Sequence, residues 1–86
     1  MTFTIRYFPQ AEAFLNRSEK QLILRIRSKI IHILAENPFC TGSQKIKGTE
    51  SAYRYRIGGY RVLYRVDTKN KILTVYNIGR RENIYN

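Results

Sequence analysis

The chain has 86 residues, which is enough for one small domain and too few for two, so we expect a single domain over residues 1–86. Sixteen Lys and Arg residues against six Asp and Glu residues give a net charge of +10, which indicates a polyanionic partner. A single cysteine excludes an internal disulfide. Because the sequence has neither a signal-peptide pattern nor an apolar stretch near the roughly 20 residues that span a bilayer, we expect a soluble, cytoplasmic protein without a membrane partner.

The first half of the chain predicts a strand followed by a helical hairpin. Residues 2–7 alternate polar and apolar side chains, the period of a half-buried strand. Residues 9–16 begin with a proline and predict a short helix. Ser18 and Gln21 have the spacing of a capping box, which predicts a longer second helix over residues 18–37, up to Asn-Pro. The two helices must run antiparallel because so few residues join them.

The second half predicts a loop followed by three strands. Residues 39–52 have no strand or helix period and are predicted to be a loop, with QKIKG at its centre. Strands are predicted at residues 53–57, 60–66 and 71–78. The predicted order of elements is therefore β-α-α-β-β-β.

The segment YRYRIGGYRVLYRV, residues 53–66, predicts a tight hairpin with an unusual charge arrangement. A two-residue Gly-Gly turn places Arg56 opposite Arg61 and Arg54 opposite Leu63. Like charges directly opposite each other destabilise a sheet by up to about 1 kcal/mol, so the pair favours a bound anion. The alternative is a solvated face on which arginine stems merely cover apolar surface.

The phase of the last strand decides whether a fourth arginine joins this group. A second hairpin loop of five residues, 67–71, would bring four further residues onto the arginine face: Leu73, Val75, Asn77 and Gly79. Arg81 would continue the same phase, and Arg54, Arg56, Arg61 and Arg81 would converge on one site. A slip of one residue would exchange the faces of this strand.

Other catalytic chemistry finds little support in the sequence. His32 has no second metal ligand at usable spacing, and Cys40 has no partner histidine, so we expect no metal site, no cofactor and no cysteine nucleophile. An arginine-rich site can still act on RNA, because cations stabilise charge on the phosphate while the 2′-hydroxyl supplies the nucleophile. Tyr85 could stack on a base or exchange a proton; equally, it could anchor the tail.

Three segments together resemble the RelE/ParE superfamily of bacterial and archaeal toxins: KIKG, YRYRIGGYRVLYRV and VYNIGRRENIY, in this element order. The resemblance covers nearly the whole chain. It implies an α+β fold in which the helix hairpin packs on a mostly antiparallel four-stranded sheet. It also implies the toxin of a type II toxin–antitoxin system, neutralised by a cognate antitoxin, and a heterotetramer is one form that this complex could take.

In the RelE branch the toxin is an endoribonuclease that enters the ribosome, cuts mRNA in the A site through the 2′-hydroxyl and so inhibits translation. Carried over by position, the family's catalytic residues correspond to Arg54, Arg56, Arg61, Arg81 and Tyr85. The residues expected to contact mRNA or ribosomal RNA are Lys45, Lys47, Arg65 and Arg80.

One departure from the RelE pattern leaves the general base unassigned. Arg54 and Arg56 replace lysines, and an arginine effectively cannot lose its proton. Tyr85, Lys45 or Lys47 could take that role, or catalysis could rest on positioning and charge alone. Two other functions stay open: a ParE-like inhibitor of DNA gyrase that cleaves no RNA, and a non-catalytic RNA-binding module.

Overall fold

A computed structural model describes residues 2–49 and 51–80. Its strands and α-helices are β1 (Thr4–Tyr7), α1 (Pro9–Asn16), α2 (Lys20–Lys29), β2 (Ser43–Lys45), β3 (Ala52–Ile57), β4 (Tyr60–Asp67) and β5 (Ile72–Arg80). One sheet contains all five strands, in the order β1-β5-β4-β3-β2. β1 runs parallel to β5 and the other neighbours are antiparallel. The predicted α+β class is confirmed, with one strand more than expected.

The helices cover one face of the sheet because each turns an apolar stripe toward it. Ala11 and Leu15 of α1 are buried, and so is Ile26 of α2. A π-helical segment, Ile30–Leu34, continues α2 and buries both of its end residues. The sheet contributes further fully buried side chains to this core: Val62, Tyr64, Leu73 and Val75. Among the described residues, no helix has the length and apolar character needed to cross a bilayer.

The predicted capping box at the start of the second helix is wrong. α2 begins at Lys20, with Glu19 as its N-cap and no side-chain hydrogen bond at that cap. Ser18 Oγ instead donates to the carbonyl oxygen of Phe14, in the last turn of α1, at 2.7 Å. The Ser18 hydroxyl thus bonds to the helix that precedes it, at a carbonyl oxygen that also accepts a hydrogen bond from the Arg17 N–H.

The predicted loop 39–52 contains a strand that the sequence pattern does not indicate. β2 is three residues long and pairs with β3, Gln44 opposite Arg54 and Lys45 opposite Tyr53. Ser, Gln and Lys show no alternation of polar and apolar side chains, which is common for a short edge strand. Gly42 precedes β2 with a φ of +101°, a conformation that glycine adopts readily.

The first hairpin has the predicted register, with Arg56 opposite Arg61 and Arg54 opposite Leu63. The face bearing these arginines is not wholly open, however. Leu63 is buried in a small second cluster with Ile46 and Ala52, against which Tyr76 packs. This face therefore combines an apolar patch with the arginines.

The predicted phase of the last strand is wrong near the turn and correct beyond it. Leu73 and Val75 lie on the helix-covered face, because the loop has four residues, 68–71, and Asp67 pairs with Ile72. An irregularity at Tyr76 then adds one residue to β5, so that Asn77 lies opposite Leu63. Because side chains alternate along a strand, one extra residue exchanges the faces and returns Asn77 and Gly79 to the arginine face.

Candidate functional site: an arginine-lined cleft

Three arginines line one cleft where β2 ends beside β3. The cleft has a volume of about 300 Å³ and is bounded by Gly42, Gln44, Arg54, Tyr55, Arg56 and Arg61. We call it the arginine cleft. β2 pairs with residues 53–55 of β3 and stops there, so it does not extend alongside Arg56. The cleft thus occupies the notch left by a strand shorter than its neighbour.

The row Arg56, Arg61 and Gly79 crosses three strands at this end of the sheet. Arg56 pairs with Arg61, and Arg61 pairs with Gly79. Arg56 is exposed and Arg61 is partly buried. Two guanidinium-bearing residues in directly opposed positions create a local positive potential suited to a phosphate, which accepts hydrogen bonds from both sides.

Arg54 is the third arginine and is held by a neighbour on β2. Its Nε donates to Gln44 Oε1 at 2.8 Å. Arg54 also lines a second cavity of about 600 Å³, together with the segment Lys45, Ile46, Lys47, Gly48 and Thr49. We call this the lysine cavity. The predicted residues Lys45 and Lys47 therefore lie next to the arginine cleft, with Arg54 in the wall between the two.

The remaining predicted binding residues lie away from the cleft. The Arg65 guanidinium lies 5.5 Å from the centre of the Tyr76 ring, on the arginine face but outside the cleft lining. Arg80 pairs with Tyr60 and lies 5.9 Å from its ring centre, in a groove with Phe14 on the other face. Arg81 and Tyr85 lie outside the described residues.

Two residues of the cleft, Gln44 and Tyr55, are not predicted by the sequence to belong to a functional site. Gln44 falls in the segment predicted as a loop. Tyr55 has the phase of the helix-covered face and packs against the core there, yet it also lines the cleft beside Gly42. Burial raises the pKa of its phenol, with the nearby Cys40 thiol acting in the same direction. Tyr55 therefore stays protonated at neutral pH and can donate a hydrogen bond.

The lone histidine and cysteine lie outside the cleft lining. His32 is exposed on the π-helical segment. Burial raises the pKa of the Cys40 thiol, which lowers its thiolate fraction and hence its reactivity. Within residues 2–49 and 51–80, no group of three or more His, Cys, Asp or Glu side chains could hold a metal ion.

A helix hairpin packed on a five-stranded mixed sheet, with a cleft lined by three arginines, defines a small toxin-like fold of the α+β class. The family model for the ParE toxin of the type II toxin–antitoxin system parDE matches residues 5–85. The chain belongs to this toxin family, within the RelE/ParE superfamily. No curated protein sequence gives a significant match.

Solved structures of RelE proteins share the fold. The toxin–antitoxin complex RelBE2 from Mycobacterium tuberculosis contains a chain with 18% identity and a TM-score of 0.84, covering 94% of this chain and 100% of that one. The isolated RelE toxin of E. coli has 19% identity and a TM-score of 0.79, with coverages of 95% and 87%. The archaeal RelE–RelB complex from Pyrococcus horikoshii has 26% identity and a TM-score of 0.71, with coverages of 98% and 100%.

Proposed function

We propose that this toxin is a ribosome-dependent endoribonuclease that cuts mRNA in the A site and so inhibits translation in the cytoplasm. The observation that carries the proposal is the arginine cleft, in which Arg54, Arg56 and Arg61 surround a space of about 300 Å³. A cleft lined by three cations suits a phosphodiester whose charge increases during cleavage. The likeness to RelE structures, some solved with an antitoxin, supports a cognate antitoxin as the second partner.

The reaction needs little from the protein beyond positioning and charge. The RNA 2′-hydroxyl attacks the adjacent phosphorus, the bond from phosphorus to the 5′-oxygen breaks, and a 2′,3′-cyclic phosphate and a 5′-hydroxyl result. Arg56 and Arg61 stabilise the charge on the non-bridging oxygens. Arginine cannot accept the 2′-hydroxyl proton, and Tyr55, whose pKa is raised by burial, does not supply a phenolate at neutral pH. Lys45, Lys47 and Tyr85 stay the candidates for the base, and Arg81 for a further cation.

Primer extension on a message under translation tests this proposal. We expect the parent to cut ribosome-bound mRNA, and Arg61→Ala to cut at least about a hundredfold more slowly, the usual effect of removing a donor to a developing oxyanion. Arg81→Ala is expected to be impaired as well. Arg6→Ala, an exposed arginine on β1, is the matched control and should cut like the parent. If Arg61→Ala cuts as fast as Arg6→Ala, the proposed nuclease is wrong.

Inhibition of DNA gyrase is the second candidate, because the family model that matches the chain is that of ParE. The replacement of lysine by Arg54 and Arg56 favours it too, since it removes the pair that could supply a base. A supercoiling assay separates the two functions. Loss of gyrase activity with unchanged mRNA ends would favour this candidate, and salt-sensitive RNA binding without either effect would indicate a non-catalytic binding module.

A further inference from the structure

Gln44 and Arg54 form a cross-strand pair whose two side chains bond to each other. They lie directly opposite on β2 and β3, and Arg54 Nε donates to Gln44 Oε1 at 2.8 Å. On its other side Arg54 lies opposite Leu63 of β4, a buried residue. The Arg54 side chain therefore lies between an apolar neighbour and an amide acceptor, which together restrict its rotamers.

The hydrogen bond uses only one of the five donors of the guanidinium group. With Nε held by Gln44, the plane of the group is fixed, and the four N–H bonds of the two Nη atoms stay available to an anion. Gln44 is neutral, so it orients the guanidinium without reducing its charge. A carboxylate at this position would orient Arg54 equally well but would compete with a phosphate for it.

The place of Arg54 makes its orientation important. Arg54 lines both the arginine cleft and the lysine cavity, so a freely rotating side chain could point into either. We propose that Gln44 is a positioning residue, which holds the Arg54 guanidinium in the wall between the two cavities so that it meets a phosphate of single-stranded RNA bound in the arginine cleft. The choice of RNA as the anion rests on the proposed function.

An NMR measurement tests the hydrogen bond itself. In the parent we expect the Arg54 Nε–H proton to exchange slowly with solvent compared with the exposed Arg6. Gln44→Ala should remove this protection, whereas Gln44→Glu, which keeps an acceptor oxygen, should retain it. Gln21→Ala is the matched control, an exposed glutamine on α2, and should leave Arg54 unchanged. Rapid Arg54 exchange in the parent would overturn the proposal.

A double-mutant cycle on RNA binding tests the positioning role. The probe is a trinucleotide with 2′-O-methyl groups, which cannot be cleaved, so binding is measured whether or not the toxin cuts RNA. We expect Gln44→Ala to raise Kd about fivefold and Arg54→Ala about tenfold or more, as for hydrogen bonds to charged groups at a partly exposed site. Gln44→Glu should bind more weakly than Gln44→Ala, because the added negative charge repels the phosphate.

The decisive variant carries both Gln44→Ala and Arg54→Ala. If Gln44 acts through Arg54, the double variant binds like Arg54→Ala alone, within about twofold. If the two effects multiply, or if Gln21→Ala weakens binding as much as Gln44→Ala, Gln44 is not a positioning residue. A parent that does not bind the trinucleotide would also overturn the proposal. Absence of cleavage with an intact binding cycle would instead contradict only the proposed nuclease.

Discussion

Arg56 and Arg61 lie directly opposite each other across the β3–β4 hairpin, and both line the same cleft. Opposed like charges are unfavourable in a sheet, and the net charge of +10 on the whole chain adds to the repulsion. We therefore expect the repulsion within this pair to lower the stability of the toxin alone and, under the proposed function, to favour a bound phosphate. Stability and ligand binding would then be opposed at this position.

Arg56→Gln should stabilise the protein in the absence of a ligand. We expect the free energy of unfolding to rise by up to about 1 kcal/mol at low salt, and the gain to shrink in 1 M salt, where the Debye length is about 3 Å. Denaturation in urea at both salt concentrations measures the effect. Arg6→Gln, opposite Thr74, is the control for the general loss of one positive charge. Equal gains for the two variants would contradict repulsion between Arg56 and Arg61.

Gly58→Ala should destabilise the hairpin, whereas Gly59→Ala should have little effect. Gly58 has a φ of +60°, and a Cβ there would meet the guanidinium of Arg25. Gly59 has open space around it. We expect Gly58→Ala to lower the free energy of unfolding by about 1–2 kcal/mol, the strain of a left-handed alanine, with only a small further loss from displacing Arg25, because its guanidinium is the far end of an exposed side chain. Thermal unfolding of both variants measures the difference.

Arg25→Ala in the Gly58→Ala background separates the two causes. Removing the guanidinium should recover the loss due to contact with Arg25 and leave the backbone strain. If Gly59→Ala is as destabilising as Gly58→Ala, neither cause explains the effect.

Tyr64→Phe should weaken the core and change the alkaline limit of stability. The Tyr64 hydroxyl, fully buried, donates to the carbonyl oxygen of Pro38 at 2.6 Å. Its loss leaves a buried acceptor unsatisfied, which costs about 1–3 kcal/mol. Chemical denaturation at pH 7 measures this loss. Tyr53→Phe, on a partly buried ring stacked against Tyr64, is the control.

The pH dependence follows from burial, which raises the pKa of Tyr64 strongly. The unfolded chain releases this proton near pH 10, whereas the folded protein keeps it, so stability falls as the pH rises above about 10. Tyr64→Phe should show a shallower fall above pH 10 than the parent. The slope that persists comes from the other tyrosines whose pKa burial raises, Tyr7, Tyr55 and Tyr76. Equal slopes for Tyr64→Phe and the parent would contradict this assignment.

Asn70→Ala should reduce stability at neutral pH more than in acid. The Asp67 carboxylate accepts hydrogen bonds from the side chain and backbone of Asn70, and these bonds lower the pKa of Asp67. Because the folded pKa lies below the unfolded value of about 3.9, the stabilisation is present above that pH and is lost as the carboxyl protonates. Urea denaturation at pH 7 and pH 3 tests this, with Thr68→Ala as the control. A loss independent of pH would contradict it.

The first hairpin could be predicted from the sequence because its register depends on local chemistry alone. A Gly-Gly turn and strict alternation on both sides determine that Arg56 and Arg61 are opposed. The identity of the cleft lining could not be predicted in full. Gln44 reaches the cleft only because β2 pairs with β3. The residues of β2 have no strand pattern of their own, so this short strand depends on its pairing with β3.

The last strand shows why alternation fails where a strand is irregular. Leu73 and Asn77 have the same parity in the sequence but lie on opposite faces, because Tyr76 adds one residue opposite Leu63 and Tyr64. Nothing in the residues around Tyr76 marks such an irregularity. A β-bulge depends on how a strand fits its neighbours on both sides, and this information lies in the packing of the whole sheet.

The parallel pairing of β1 with β5 also affects when the molecule can fold. Thr4 pairs with Ile72, so β1 has no strand partner until β5, far along the chain, has been synthesised. The entropy cost of closing so long a loop must be met before the contact between β1 and β5 can stabilise the chain. The toxin can therefore complete its sheet only after β5 has been synthesised.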